Sequence, residues 1–321
     1  MPDWAPDFPL LAIAAGLVTL VVGADLLVRG AVWIALSLGM SHMAVGLTLV
    51  AMGTSMPELL VSLTAAQKGS SAIALANVLG SNVANVLLIV GVAASLCAIR
   101  LQVRRLELGF LLLASALTAV PFVVDQHVGR PVAALMVAML VAFCGQLLRR
   151  ERAAMQSVDH APPHVATWRG WLAHAALLAL GLVLLLYGAE WLVEGAIVVA
   201  ADLGLGEAVI GMTVVAVGTS LPELATSVVA ALRRQPEIAI GNILGSNIFN
   251  VGAVLGIAAL VQPFPVDTGA LWPLLTATLA SAVALAAVLR LRGGVPRLVG
   301  LVFLFGYVAF LTVEVLRSHA G

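Results

Sequence analysis

The stretch Gly46–Ser62, GLTLVAMGTSMPELLVS, returns 165 residues later as Gly211–Ser227, GMTVVAVGTSLPELATS. A second pair follows: ALANVLGSNVANVLLIVG ends at Gly91, and AIGNILGSNIFNVGAVLG ends at Gly256. One offset, without a gap, aligns Gly53 with Gly218, Glu58 with Glu223, Ser81 with Ser246 and Asn85 with Asn250. Extended back to Val22 and Tyr187, it keeps about 32 of roughly 70 positions identical. A repeat on this scale constrains the architecture before any single element does. Each copy carries one glutamate inside an apolar segment, and a duplicated intramembrane carboxylate points to an ion pathway.

Working outward, the chain of 321 residues is 62% hydrophobic and 10% charged, with a mean hydropathy of +1.10. A soluble domain would carry about a quarter charged residues. Ten apolar segments can be read as spanning helices. They run over Pro9–Val28, His42–Gln67, Ser71–Ile99, Leu106–Val124, Pro131–Leu148, Gly170–Leu192, Ala208–Leu232, Glu237–Val261, Ala270–Leu289 and Leu298–Leu316. The only long polar stretch, Arg149–Arg169, separates the fifth from the sixth. The expected fold is therefore an all-α polytopic membrane protein of two five-helix repeats, residues 1–148 and 170–321, joined by a cytoplasmic linker at 149–169. An odd helix count makes the second repeat enter from the opposite side, so the repeats are inverted.

Basic residues fix the orientation. With the linker inside, thirteen arginines, including Arg29, Arg100, Arg104, Arg105, Arg149, Arg150, Arg233 and Arg290, collect on the inner side. Only Lys68, Arg130 and Arg317 remain outside. This positive-inside bias places both termini outside. The N-terminus lacks the basic region of a signal peptide, and the first segment belongs to the repeat, so it should be retained. Zero net charge argues against a nucleic-acid partner. No obligatory protein partner and no cofactor are evident.

The chemistry sits in GTSMPE and GTSLPE, in the second and seventh segments. Pro57 and Pro222 lack an N–H and clash with the carbonyls of Gly53 and Gly218, so both helices should break there. Breaks at membrane depth are tolerated where the freed backbone lines a cavity. Freed carbonyls become candidate ligands, with the backbone oxygens of Ala51 and Ala216 among them. Thr54 and Glu58 share a helix face, with Ser55 beside them, and Thr219, Ser220 and Glu223 repeat the set. In the third segment Asn77, Ser81 and Asn85 recur every four residues; Asn242, Ser246 and Asn250 do so in the eighth. Gly80 and Gly245 permit close helix approach. All these donors are oxygens, with no histidine or cysteine among them, which disfavours zinc, copper and iron–sulfur sites. Ca²⁺ takes six to eight oxygens in flexible geometry, and the same oxygens suit Na⁺. Two ionised glutamates neutralise one Ca²⁺, and protonating both gives another neutral state.

The paired motifs GTSMPE/ANVLGSNVAN and GTSLPE/GNILGSNIFN resemble the α-repeats of the cation/Ca²⁺ exchanger superfamily, above all its sodium/calcium branch and short prokaryotic members. That resemblance implies Ca²⁺/Na⁺ antiport by alternating access in a prokaryotic inner membrane. It implies Glu58 and Glu223 as central Ca²⁺ ligands, with Thr54, Ser55, Ser81, Thr219, Ser220 and Ser246 lining the Na⁺ and Ca²⁺ positions. The proton-coupled branch typically shows GNxxE instead. Two departures matter: Asn250 replaces an Asp common in relatives, removing one carboxylate and any expectation of K⁺ co-transport, and Ala76 replaces the usual Gly before Asn77.

Other residues read more plainly. Asp25 and Glu190 occupy matching repeat positions and could form a cation-attracting vestibule, cap helix ends or, for Asp25, pair with Arg29. His160 and His164 read as part of a solvated hinge. Trp4, Trp168, Trp171 and Trp272 read as interfacial anchors, and Cys97 and Cys144 as packing residues. Rival functions are a Ca²⁺/H⁺ or other cation antiporter of the same fold, an intramembrane hydrolase using Ser55 or Ser220, and a passive channel. No His, Lys or paired Asp stands where it could activate either serine, and channel filters are usually built from several subunits.

Overall fold

The structure, a computed structural model, describes residues 8–68, 71–124, 126–157, 167–202 and 216–320. Helix α1 (Pro9–Leu38) opens on a proline in its first turn, where the missing N–H removes no helical bond, and ends at Gly39 with φ 64°. It runs on to Leu38 instead of ending near Val28, because Arg29 is paired one turn back with Asp25 at 2.8 Å and does not terminate the helix. The left-handed Gly39 turns the chain into Ser41, whose hydroxyl accepts the Ala44 N–H at 3.1 Å and caps the next helix. The Ser41 N–H itself donates to Glu151 Oε2 at 2.7 Å, tying this corner to a distant helix.

Helices α2 (His42–Thr54) and α3 (Met56–Gln67) form the expected broken segment, bent by 45° at Ser55. Pro57 lies in the first turn of α3, where a proline starts a helix but cannot continue the preceding one. There follow α4 (Ile73–Leu96), α5 (Arg105–Val123), α6 (Arg130–Ser157) and α7 (Trp168–Asp202). Both α6 and α7 extend further than hydropathy placed them, since Arg149–Arg152 at one end and Glu194 and Asp202 at the other stay helical. The expected seventh helix has its first half, residues 208–215, outside the described residues, as are His160, His164 and Trp4. Its described part is a short turn α8 (Ala216–Gly218) followed by α9 (Leu221–Leu232), again with the proline in the first turn. The chain closes with α10 (Pro236–Val261), α11 (Thr268–Arg292) and α12 (Arg297–Ala320).

Among the described residues, eight helices are long and apolar enough to cross a membrane, nine when α2 and α3 count as one span; α9 is a shorter apolar helix. The centre belongs to α10, where every residue from Ile238 to Phe249 is buried. Both α4 and α10 widen into a π-turn at repeat-equivalent places, Asn85–Val90 and Asn250–Leu255. Such widened turns concentrate at functional positions. The all-α expectation needs one small correction. Ile99–Arg100 pairs antiparallel with Gly294–Val295, and His127–Val128 with Phe264–Pro265. Each two-residue ladder stitches a loop of one half to a loop of the other.

Helices α1 and α7 pack along one another through glycines spaced seven apart. A Cβ on Gly16 would lie 2.7 Å from the Gly188 oxygen, on Gly23 2.8 Å from Gly181, and on Gly30 2.9 Å from His174. Rising numbers on one helix meet falling numbers on the other, so these repeat-equivalent helices run antiparallel. Only small residues permit that approach.

Candidate functional site

Four elements converge at the centre: the α2–α3 break, α4, the α8–α9 break and α10. Thr54, Ser55, Glu58, Ser81, Asn85, Ser220, Glu223, Ser246 and Asn250 are all buried there. The α-carbon positions follow from the breaks. Ser55 and Ser220 are the joints, each immediately preceding a proline-initiated helix whose first turn presents the glutamate.

The carboxylates are held across the repeat boundary. Ser55 Oγ donates to Glu223 Oε1 at 3.1 Å, and Ser220 Oγ to Glu58 Oε1 at 3.5 Å. Within each repeat, Ser81 Oγ donates to Glu58 Oε1 and Ser246 Oγ to Glu223 Oε1, both at 3.5 Å. Every one of these contacts is matched by its partner under the 165-residue offset.

The asparagines divide into two roles. Asn77 Nδ2 donates to the Glu58 carbonyl at 3.2 Å and to Ser62 Oγ at 2.9 Å; Asn242 Nδ2 treats the Glu223 carbonyl and Ser227 Oγ likewise, at 3.5 and 3.0 Å. These two staple a broken helix to its neighbour. Asn85 and Asn250 are turned by residues the sequence reading passed over. Asn85 Nδ2 donates to Asn247 Oδ1 at 2.9 Å, and Asn250 Nδ2 to Asn82 Oδ1 at 3.1 Å. With their nitrogens so engaged, both amide oxygens are left to other partners. The missed residues carried a signal: Asn82, Asn247, Ser62 and Ser227 are identical between the repeats.

What is unpartnered defines the chemistry. Glu58 Oε2, Glu223 Oε2, Asn85 Oδ1, Asn250 Oδ1 and Thr219 Oγ1 are buried without a hydrogen-bond partner. Neither carboxylate has a Lys or Arg partner among the described residues. A buried carboxylate with no counter-charge is costly, and these oxygens form a set that cations would complete. No cluster of three or more His, Cys, Asp or Glu side chains that could hold a metal occurs among the described residues, so neutral oxygens must supply much of any coordination.

The two breaks differ in detail. The Ala51 carbonyl accepts the Ser55 N–H at 3.0 Å and the Thr54 hydroxyl at 3.4 Å, so it is less free than the proline break suggested. In the second repeat the Ser220 N–H bonds to Val217 at 3.0 Å instead, leaving the Ala216 carbonyl without that bond. Thr54 Oγ1 lies 3.1 Å from Asn242 Oδ1, whereas its counterpart Thr219 has no partner. Of the roles open to Asp25, the structure shows the pairing with Arg29, and it adds a second pairing with Arg233.

Comparison with known proteins places this geometry in context. The family model described as "Sodium/calcium exchanger protein" matches residues 8–148 and 173–316. Sodium/calcium exchanger MaX1 of Methanosarcina acetivorans is 35% identical over 342 aligned residues, covering 94% of this chain and 97% of that protein. Inner membrane protein YrbG of Escherichia coli is 47% identical over 100 residues, covering 31% of each. A solved structure of the sodium-calcium exchanger NCX_Mj, soaked with Na⁺ and Ca²⁺, superimposes with a TM-score of 0.78 at 26% identity, covering 96% of this chain and 97% of that one.

Proposed function

The chain belongs to the sodium/calcium exchanger family, and we infer that it exchanges Ca²⁺ for Na⁺ across a membrane as a secondary antiporter, with the two ions as its substrates. The observation that carries this reading is the pair of buried glutamates, each held by a hydroxyl from the other repeat and neither paired with a Lys or Arg among the described residues. Two carboxylates offset the charge of one Ca²⁺ or of two Na⁺, so the ions displace one another from a shared set of oxygens. We assign Glu58 and Glu223 as the central ligands. Thr54, Ser55, Ser81, Asn85, Thr219, Ser220, Ser246, Asn250 and the carbonyls of Ala51 and Ala216 supply the surrounding oxygens.

The proposed architecture is ten spanning helices in two inverted five-helix repeats, residues 1–148 and 170–321, with the linker 149–169 cytoplasmic and both termini outside. Two things support it: α1 and α7 are repeat-equivalent yet antiparallel, and the arginines gather on the linker side. Inversion matters mechanistically because two copies of one helix arrangement facing opposite ways can exchange conformations, opening the shared site to each side in turn. An inner-membrane location is part of the proposal, supported by the likeness to an inner membrane protein of Escherichia coli.

The test is ⁴⁵Ca²⁺ uptake into proteoliposomes under an imposed Na⁺ gradient. Uptake driven by outward-directed Na⁺ supports the reading. Uptake driven by a proton gradient and indifferent to Na⁺ would replace it with Ca²⁺/H⁺ antiport.

A further inference from the structure

The 165-residue offset also relates two charged pairs that lie away from the ion ligands. Asp25 of α1 corresponds to Glu190 of α7, and Arg233, just past α9, corresponds to Lys68, just past α3. Acid thus matches acid and base matches base. Among the described residues one of these pairs is made and the other is not: Asp25 binds Arg233, while Glu190 and Lys68 form no ion pair there.

The surrounding packing is unequal in the same sense. Helix α1 lies along α9, whereas α7 makes no comparable contact with α3 among the described residues. Where α7 would lie, α3 and the start of α4 present an open groove lined by Leu60, Val61, Thr64, Ala65, Lys68 and Ile73. Burial measures the difference. Val61 is 38% exposed, while its equivalent Thr226 is fully buried. The groove is the unfilled copy of the seat that α1 occupies.

We propose that Glu190 and Lys68 are positioning residues of the exchange cycle, forming the counterpart ion pair when α7 seats on α3 and the Asp25–Arg233 pair opens. This rests on the exchanger reading, since it supposes that the repeats trade conformations. The antiparallel glycine interface joins α1 to α7 closely enough for them to move as one unit, so seating one end unseats the other. The charges are graded for this. When Arg233 leaves, Asp25 keeps Arg29 one turn away and is not stranded. On α7 the position equivalent to Arg29 is Glu194, which has a buried oxygen without a partner. Lys68 would therefore arrive opposite two carboxylates with no Lys or Arg within several turns of them on their own helix. Exposed pairs of this kind shift equilibria modestly, which suits a cycle that must pass through both states.

The test uses full-length protein with Cys97→Ala and Cys144→Ala, carrying Lys68→Cys and Glu190→Cys, treated with a short bismaleimide in vesicles and read on a gel. Cross-linking is expected, with a yield that rises about two- to fivefold when Arg233→Gln removes the existing pair. Separately, Lys68→Glu and Glu190→Lys should each slow exchange severalfold, and the charge-swapped double variant should restore it to within about twofold of the parent, a pattern that mere contact would not produce. Size-exclusion profiles exclude variants that fail to fold, and Lys68→Gln serves if Lys68→Glu does. No cross-link in either background, a yield indifferent to Arg233→Gln, or a double swap no better than the singles overturns the proposal. The cross-link is read without transport, so its failure is distinguishable from failure of Ca²⁺/Na⁺ exchange.

Discussion

Ser55 and Glu223 belong to different repeats, yet the serine hydroxyl donates to the carboxylate at 3.1 Å. The break in one half therefore holds the charge of the other, and neither half can build the site alone. The reciprocal contact from Ser220 to Glu58 is longer, at 3.5 Å, so the two serines should not be equivalent. Ser55→Ala should weaken apparent Ca²⁺ affinity about tenfold, on the scale of a lost hydrogen bond to a charged group, and Ser220→Ala should weaken it less. Initial rates against Ca²⁺ concentration decide this; equal effects would show that the difference in distance has no functional weight.

Asn77 and Asn242 bond the carbonyls of Glu58 and Glu223 and the adjacent serine hydroxyls. Their expected role is to hold each break to its neighbour. Asn77→Ala or Asn242→Ala should lower stability by about 1–2 kcal/mol through carbonyls and hydroxyls left unsatisfied. Thermal unfolding in detergent, with and without Ca²⁺, measures it. An unchanged melting temperature with lost ion affinity would instead make these amides ligands.

Asn250 gives its amide hydrogens to Asn82 and keeps an unpartnered oxygen. The site then holds two formal negatives, and K⁺ should not be required for Ca²⁺ exchange. In Asn250→Asp a third carboxylate, crowded by two others, resists ionisation. It would carry its charge only at higher pH, and once protonated it restores the parent's charge count, so the variant's Ca²⁺ exchange should change with pH over a range where the parent's does not. Initial fluxes across pH, with and without K⁺, check both statements. Identical pH profiles would remove Asn250 from the ion site.

Gly23 faces the Gly181 carbonyl so closely that a Cβ would sit 2.8 Å from its oxygen. Gly23→Leu should separate α1 from α7, destabilise the protein by about 1–3 kcal/mol and uncouple the two helices. Exchange should slow while equilibrium Ca²⁺ binding persists. A cross-link between α1 and α2, which pack against each other, should have the same signature, binding without transport, because one helix then cannot slide against the other. Undiminished exchange with the cross-link verified would contradict a moving α1.

Much of this was legible because the chain states its site twice. Glu58 and Glu223, with the hydroxyls of GTS and GSN, could be picked out without coordinates, and the proline break was readable from the chemistry of Pro57. Residues hidden by a single period were missed. Asn77, Ser81 and Asn85 stand at four-residue spacing, and fixing on that stripe passed over Asn82, which lies off it yet orients Asn250 from the other repeat. Helix ends were misplaced where a charge was taken as a boundary: Arg29 stays inside α1 because Asp25 pairs with it. The crossing of Ser55 to Glu223 depends on how the halves dock, which local sequence does not encode. The unequal seating of α1 and α7 is likewise a property of one conformation, whereas the repeat in the sequence is nearly even-handed.

The central claim is that Glu58 and Glu223 together carry the charge of the transported ion. Glu58→Gln keeps the shape of the side chain and removes its charge. Because a buried, unneutralised carboxylate is costly in itself, the variant should fold at least as well as the parent. Na⁺-driven ⁴⁵Ca²⁺ uptake in proteoliposomes should be abolished in Glu58→Gln and equally in Glu223→Gln, with unchanged size-exclusion profiles. Uptake by either variant near the parental rate would contradict the account.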